Sequence, residues 1–107
     1  KEIQRRSAQH DDRERKREEA ARRQERYKLL KPLKNRIDRV EKEIASLEEQ
    51  KAEIENNLAD EATYRDEEKA KTLTQQYREV SDKLGSVYAD WESVQEEIEK
   101  IETEFEG

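Results

Sequence analysis

Apolar residues recur at a regular spacing through the middle of the chain, beginning at Leu30. Their separations alternate between three and four residues over four heptads, and Lys51 takes one position in the series. The series consists of Leu30, Leu33, Ile37, Val40, Ile44, Leu47, Lys51, Ile54 and Leu58. Because this alternation keeps one side of an α-helix apolar, it predicts a helix with a coiled-coil seam.

A second series with the same rhythm occupies the C-terminal part of the chain, and every one of its positions is apolar. It consists of Leu73, Tyr77, Val80, Leu84, Val87, Trp91, Val94, Ile98, Ile101 and Phe105, and Ala70 extends it backward. This pattern predicts a second seam-bearing helix.

The two series are out of phase with each other. Leu58 and Tyr77 hold equivalent heptad positions but lie 19 residues apart, five more than two heptads. One straight helix would carry the two stripes on different sides. We therefore expect the chain to break near residues 59–65, with Thr63 as the N-cap of the second helix and Asp66 and Glu67 in its first turn. The predicted fold is all-α, a two-helix antiparallel coiled-coil hairpin.

The expected hairpin covers residues 21–107, with helix one at about 21–59, the tip at 60–64 and helix two at about 65–105. Residues 1–20 have almost no apolar content, and they are expected to form either a polar linker or a frayed helix held by charge pairs. Pro32 marks either the first turn of a helix or a kink in a helix that began earlier.

Two pairings of the helices, one heptad apart, satisfy both apolar series. A short loop pairs Leu58 with position 66 and Leu33 with Trp91. A longer tip pairs Leu58 with Leu73 and Val40 with Trp91. Because connections between helices are usually short, the first pairing is favoured.

Composition supports a thin helical structure over a compact domain. The 107 residues are 49% charged and 30% hydrophobic, whereas a typical globular domain has roughly a quarter charged residues and nearly half apolar ones. There is no cysteine, so a disulfide framework and a thiolate site are excluded. No apolar run approaches the roughly 20 residues of a membrane span, so we expect no membrane-spanning segment. The first residue is Lys, which suggests an excised piece of a larger chain.

Charge is polarised along the chain. Residues 1–36 carry a balance of +7 and residues 37–107 a balance of −13, which together give the net charge of −6. Seven basic residues fall within fifteen positions: Arg22, Arg23, Arg26, Lys28, Lys31, Lys34 and Arg36. Phosphate backbones attract such clusters, so these seven residues, here called the basic cluster, are the candidate nucleic-acid-binding residues.

The basic cluster has an alternative explanation inside the molecule. In a hairpin it runs beside residues 92–106, which include seven glutamates: Glu92, Glu96, Glu97, Glu99, Glu102, Glu104 and Glu106. The cluster could simply neutralise this acidic stretch. Contact with nucleic acid and internal pairing alone both remain open on this evidence.

The sequence offers no candidate active site. The single histidine, His10, lies in a polar segment without a second histidine or a cysteine, so it is not expected to bind a metal. Glycine-rich phosphate-binding motifs and a Ser/His/Asp grouping are missing. Acidic pairs such as Glu48 and Glu49 would face water on a two-helix rod. We expect no catalytic residue, no metal and no cofactor in this chain.

The aromatic residues are expected to serve the core. Trp91, Tyr77 and Phe105 occupy seam positions, whereas base-stacking platforms need exposed rings. Tyr27 and Tyr88 lie off the seam and are the better candidates for exposed contacts. Lys51 at a seam position is expected to cost stability and could fix the register.

Three stretches of the chain resemble the C-terminal extension of bacterial ABC-F proteins, which are tandem ATP-binding-cassette ATPases often labelled ABC transporter ATP-binding proteins. They are residues 31–44 (KPLKNRIDRVEKEI), 58–64 (LADEATY) and 89–98 (ADWESVQEEI). The shared pattern is an Arg-rich linker, a Pro-Leu-basic start, heptads, a Leu-Ala-Asp tip and a returning helix with a Trp. Glu61 stands where the family often has Pro.

The resemblance implies a cytoplasmic parent that binds ATP and Mg²⁺ through two cassettes preceding Lys1. Family members act on the ribosome in translation, and such C-terminal domains are associated with DNA or RNA contact. The basic start of the family corresponds to Lys31 and Lys34, which strengthens the nucleic-acid hypothesis. No ATP-site motif matches, so no catalytic residue is carried over.

Two functional hypotheses follow. The first is a monomeric, non-catalytic hairpin that binds nucleic acid, DNA or ribosomal RNA, on behalf of ATPase domains in the same polypeptide. The alternative is a purely structural coiled-coil spacer, or a module for docking a protein or for homodimerisation.

Overall fold

The computed structural model describes residues 2–106, and the side chains of residues 5–106. The predicted ranges 1–20 and 21–107 each reach one residue further, to Lys1 and to Gly107, which lie outside the described residues. The described chain is all-α and contains three helices, α1 (Glu2–Ala59), α2 (Glu61–Arg65) and α3 (Glu67–Glu106). Its extents are 93 × 16 × 15 Å, so the molecule is a rod.

Helix α1 is 58 residues long and continues through Pro32. Its sequence is rich in Glu, Lys, Arg, Ala and Leu, which have high intrinsic helix propensity. Pro32 has no N–H, so it cannot donate to the carbonyl of Lys28 one turn earlier. Residues 5–19 of α1 are all exposed, and α1 therefore includes the segment for which the sequence left a linker and a helix open.

Two aspartates in extended backbone conformation separate the helices. Asp60 is the N-cap of α2, and its side chain accepts a hydrogen bond from the Ala62 amide at 3.2 Å. The Asp66 side chain accepts one from the Lys69 amide at 3.2 Å, the N-cap interaction of α3. Each aspartate satisfies helix-terminal N–H groups that would otherwise lack partners.

The prediction that Thr63 is the N-cap of the second helix is wrong. Thr63 lies inside α2 and is 1% exposed, and its carbonyl accepts the Asp66 amide at 3.0 Å. The physical reason is that a carboxylate at either side of a single helical turn caps both α2 and α3. Thr63 is thereby left free to pack inward.

Helices α1 and α3 pack along their predicted seams. Every position in both apolar series is buried or half-buried, including Lys51. The first core cluster centres on Val40, Leu47, Ile54, Val80, Leu84 and Val87. The second contains Leu30, Ile37, Val94 and Ile98. Trp91 packs against both clusters and so joins them into one continuous apolar strip.

The contacts between α1 and α3 correspond to the longer-tip pairing, and the favoured short-loop pairing is wrong. The Trp91 indole N–H donates to the carboxylate of Glu41 at 3.3 Å, and Glu41 is the neighbour of Val40, the partner of Trp91 in the longer-tip pairing. The reason is the helical turn α2, which occupies the connection and leaves no tight loop. At the other end of α3, Arg26 lies 3.4 Å from Glu102. Residues early in α1 thus contact residues late in α3.

Candidate nucleic-acid interface

All seven residues of the basic cluster are exposed on α1. They span about 21 Å of helix at 1.5 Å per residue. The cluster begins where α1 first meets the end of α3 and continues past the first buried seam residue, Leu30. Because a helix turns by about 100° per residue, its members point in several directions, and the structure divides them into two groups.

Arg22 and Arg26 form the first group and bind the end of α3. The Arg22 guanidinium donates to the backbone carbonyls of Glu104 at 3.3 Å and of Phe105 at 3.1 Å, and it lies 5.6 Å from the Phe105 ring centroid. These carbonyls are among the last of α3 and have no intrahelical partner. Helix α3 has no basic residue in its own last turn. Arg22 therefore supplies the positive charge that stabilises the C-terminus of α3.

The other five members form the second group: Arg23, Lys28, Lys31, Lys34 and Arg36. Within the described part of the chain, none of these five makes an ion pair; Arg26 is the member of the cluster that does. The Lys31 ammonium lies 5.5 Å from the centroid of the Tyr27 ring, which is 62% exposed. This second group leaves positive charge and an aromatic ring facing solvent.

Internal neutralisation accounts for only a small part of the cluster. Of the glutamates in residues 92–106, Glu102 is the one that forms an ion pair with the cluster among the described residues. The side chains of Arg26 and Glu102 are both partly exposed, and exposed ion pairs contribute about 0–1 kcal/mol to stability. Most of the acidic side chains of α3 and most of the basic cluster therefore remain separately solvated.

The aromatic residues divide as their heptad positions indicate. Trp91, Tyr77 and Phe105 are half-buried, and the Lys51 ammonium lies 5.4 Å from the Tyr77 ring centroid. Tyr27 and Tyr88 are exposed. The Tyr88 hydroxyl donates a hydrogen bond to the Glu48 carboxylate of α1, and this bond is the main cause that raises the pKa of Tyr88.

Sequence reasoning missed two features. Tyr64 on α2 is 85% exposed, at the connection between the long helices, and its place in LADEATY was treated only as part of the tip. The pairing of Tyr88 with Glu48 was also missed, because it depends on the longer-tip register. The composition of the tip, with an aromatic among polar residues, was the available signal for Tyr64.

Neither a metal centre nor a membrane span is found in the part of the chain that the structure describes. No three His, Cys, Asp or Glu side chains there are grouped to hold an ion, and His10 is exposed. None of the described helices has an apolar stretch long enough to cross a bilayer. A surface groove, lined in part by Leu47, Ile54, Leu73 and Val80, runs open along the side of the helix pair.

Comparison with known proteins identifies the domain. No curated protein and no solved structure shows a significant match to the chain. The family model described as the ABC transporter C-terminal domain matches residues 28–96, which is well over half of the chain. The match contains most of both seams, the connection between the long helices, Trp91 and the basic residues from Lys28 to Arg36. The chain therefore belongs to the ABC transporter C-terminal domain family.

Proposed function

We propose that this chain is the non-catalytic C-terminal domain of an ABC-F ATPase, and that it binds nucleic acid through the basic cluster. In this proposal the ATP- and Mg²⁺-binding cassettes lie elsewhere in the same cytoplasmic polypeptide. The bound nucleic acid is DNA or ribosomal RNA, and the contact supports a ribosome-associated role in translation. The resemblance to ABC-F extensions and the family match support this assignment.

The proposed architecture is a monomeric antiparallel coiled-coil hairpin. Its support is the order of contacts between the long helices. Arg22 lies against Phe105, Glu41 against Trp91, and Lys51 against Tyr77. In these three contacts the residue number increases along α1 from 22 to 51, while that of the partner on α3 decreases from 105 to 77. The two capping aspartates allow the chain to reverse between the long helices.

The observation that carries the binding proposal is the second group of the cluster. Lys28, Lys31 and Lys34 are exposed, belong to no ion pair within the described chain, and lie outside the apolar seam. Exposed ammonium groups that belong to no ion pair are free to replace counterions around phosphates. Binding of this kind is strong at low salt and weakens steeply as salt increases.

The test is fluorescence anisotropy with labelled DNA and RNA oligonucleotides across a salt series. The triple variant Lys28→Glu, Lys31→Glu and Lys34→Glu should abolish binding at physiological salt. The matched control is Lys69→Glu, Lys71→Glu and Lys83→Glu, which makes the same charge change at exposed positions of α3. Equal loss of affinity in both variants would show a non-specific charge effect and contradict the proposal.

Sedimentation separates the proposed hairpin from the structural alternative. A monomer of 12.9 kDa with a high frictional ratio is expected at all concentrations. A mass that doubles with concentration, together with unchanged affinity in the Lys28, Lys31 and Lys34 variant, would favour a homodimerisation module.

A further inference from the structure

A straight stripe of ten polar residues and one alanine runs along α1 on the side away from α3. Its members follow one another at steps of three or four residues with a mean of 3.6, the helical repeat. The stripe consists of Arg6, His10, Arg13, Arg17, Ala20, Gln24, Lys28, Lys31, Asn35, Asp38 and Lys42. It extends over about 54 Å at 1.5 Å per residue.

The stripe lies nearly opposite the seam. At about 100° per residue, its mean direction is roughly 160° from that of the seam residues between Leu30 and Val40. The burial pattern agrees with this geometry, because every member of the stripe is exposed except the half-buried Ala20. Helix α3 therefore does not cover this face.

The charge on the stripe is strongly one-sided. It contains six basic residues and one acid, Asp38. Within the described part of the chain, none of these six basic side chains takes part in an ion pair. By the same angular count, Asp12 and Glu19 project to the seam side of α1, and Glu14, Glu18 and Glu25 lie on the flank between the seam and the stripe. Basic residues also occur on other sides of α1, but the stripe is the side that carries a single acid.

The form of the stripe fits a double helix better than a single strand. Single strands are held on a series of aromatic rings along a basic groove, whereas the eleven positions include no Phe, Trp or Tyr and one exposed ring, Tyr27, lies beside the stripe at Lys31. A duplex is straight and stiff, and its two strands cross any one of its sides at regular intervals. A straight helix with basic residues along one side can therefore contact successive strand crossings without bending. Positively charged side chains along one helix face are the expected electrostatic footprint.

We propose that this stripe seats the sugar–phosphate backbone of a nucleic-acid duplex lying alongside α1. The inference rests on the proposed function and deepens it. It adds Arg6, Arg13, Arg17 and Lys42 to the contact and excludes Arg22 and Arg26, which bind α3. At 3.4 Å per base pair, the stripe covers about 16 base pairs.

The test compares two triple variants of the full chain, each replacing two arginines and one lysine with glutamine. The stripe variant is Arg13→Gln, Arg17→Gln and Lys42→Gln, all outside the basic cluster. The control is Arg5→Gln, Lys16→Gln and Arg78→Gln; Arg5 and Lys16 project to other sides of α1, and Arg78 is exposed on α3. Glutamine has a helix propensity close to that of lysine and arginine, so circular dichroism should show the same helix content in both.

Affinity for duplexes of increasing length is measured by anisotropy, with DNA and RNA duplexes in separate arms. For the stripe variant we expect about tenfold weaker binding and a salt slope reduced by about 3, since each phosphate contact contributes about 0.9. The control should lose less than about threefold. Wild-type affinity should rise with duplex length to about 16 base pairs and then level off.

Several outcomes would overturn the inference. They are equal losses in both variants, equally tight binding of a single strand of the same length, or equal competition by polyglutamate, which would indicate an acidic protein surface as the partner. If the wild type binds and only the Lys28, Lys31 and Lys34 variant loses affinity, the stripe is wrong and the proposed function stands. If the wild type binds no nucleic acid, both fail.

Discussion

At the scale of single residues, aspartates perform the tasks that glycine and proline usually perform in a connection. Asp60 and Asp66 both adopt extended backbone conformations and accept amide hydrogen bonds from the helix that follows. No non-glycine residue in the described chain needs a positive φ. The sequence therefore predicted where the helices would separate, but it could not show which side chains would cap them, because Thr63 and both aspartates are all favourable N-caps.

Gly85 in α3 is a position where the protein can be stabilised. A Cβ added there meets no atom within 4 Å, and the backbone has no positive φ. We expect Gly85→Ala to raise the free energy of unfolding by about 0.5–1 kcal/mol, because alanine loses less backbone entropy in a helix. Urea denaturation followed by circular dichroism measures the change. A destabilised Gly85→Ala variant would contradict the open space at this position.

Tyr88 should titrate differently in the folded and unfolded chains. Its hydrogen bond to Glu48, partial desolvation and the nearby negative charge raise its pKa above 10.0. Because the folded state holds this proton more tightly, the stabilisation is present below pH 10 and is lost as the pH rises through the folded-state pKa.

The Tyr88 contribution is obtained as the difference between near-ultraviolet absorbance titrations of the wild type and Tyr88→Phe. The midpoint of the Tyr88 titration should lie above pH 10, and Glu48→Gln should lower it. A midpoint that is the same with and without Glu48 would rule out the hydrogen bond as its cause.

At the scale of elements, the heptad pattern predicted burial well and register poorly. Every predicted seam position is buried or half-buried, because periodicity reports directly which side of a helix faces a partner. Both candidate pairings, however, place most apolar residues of one series opposite apolar residues of the other, although the short-loop pairing sets Leu58 opposite Asp66. The choice between them depends on the conformation of residues 60–66, which carry no periodic signal. The division of the basic cluster into Arg22 and Arg26 and the outward five depends on that register too.

Lys51 is the polar exception in the seam, and it should limit stability while restricting alternative pairings. Its ammonium contacts the Tyr77 ring, but its side chain is half-buried among apolar residues. We expect Lys51→Leu to raise the free energy of unfolding by about 1 kcal/mol, because leucine buries more apolar surface. The same change should promote self-association, since a polar seam residue specifies register and oligomeric state.

Thermal denaturation and sedimentation at several concentrations measure the two effects of Lys51→Leu. Lys42→Leu is the control, because Lys42 is exposed on the side of α1 opposite Lys51. This change should alter the free energy of unfolding by less than about 0.5 kcal/mol. A less stable Lys51→Leu variant would mean that the contact between Lys51 and Tyr77 contributes more stability than the burial of the charged side chain costs.

At the scale of the whole molecule, shape separates this protein from both a compact domain and a disordered chain. The radius of gyration of the Cα atoms is 26.0 Å. A compact domain of this length has about 13 Å and an unfolded one about 33 Å. We expect small-angle X-ray scattering to give about 26 Å, with a maximum dimension near 93 Å.

Scattering also tests the break between the long helices. A continuous helix of this length would extend to about 160 Å at 1.5 Å per residue. A maximum dimension in that range, with a dimeric mass, would show that residues 60–66 do not reverse the chain.

The exposed first stretch of α1, residues 5–19, has a consequence for how the rod comes apart. Its turns are held by backbone hydrogen bonds and by short-range pairs such as Arg15 with Asp12, whereas the turns from Leu30 onward also rest on α3. The free energy of local opening is therefore lowest in residues 5–19 and highest around Val94, which is fully buried. On warming, residues 5–19 should lose their helical structure first. A single melting temperature therefore describes only the part of the molecule in which α1 packs against α3.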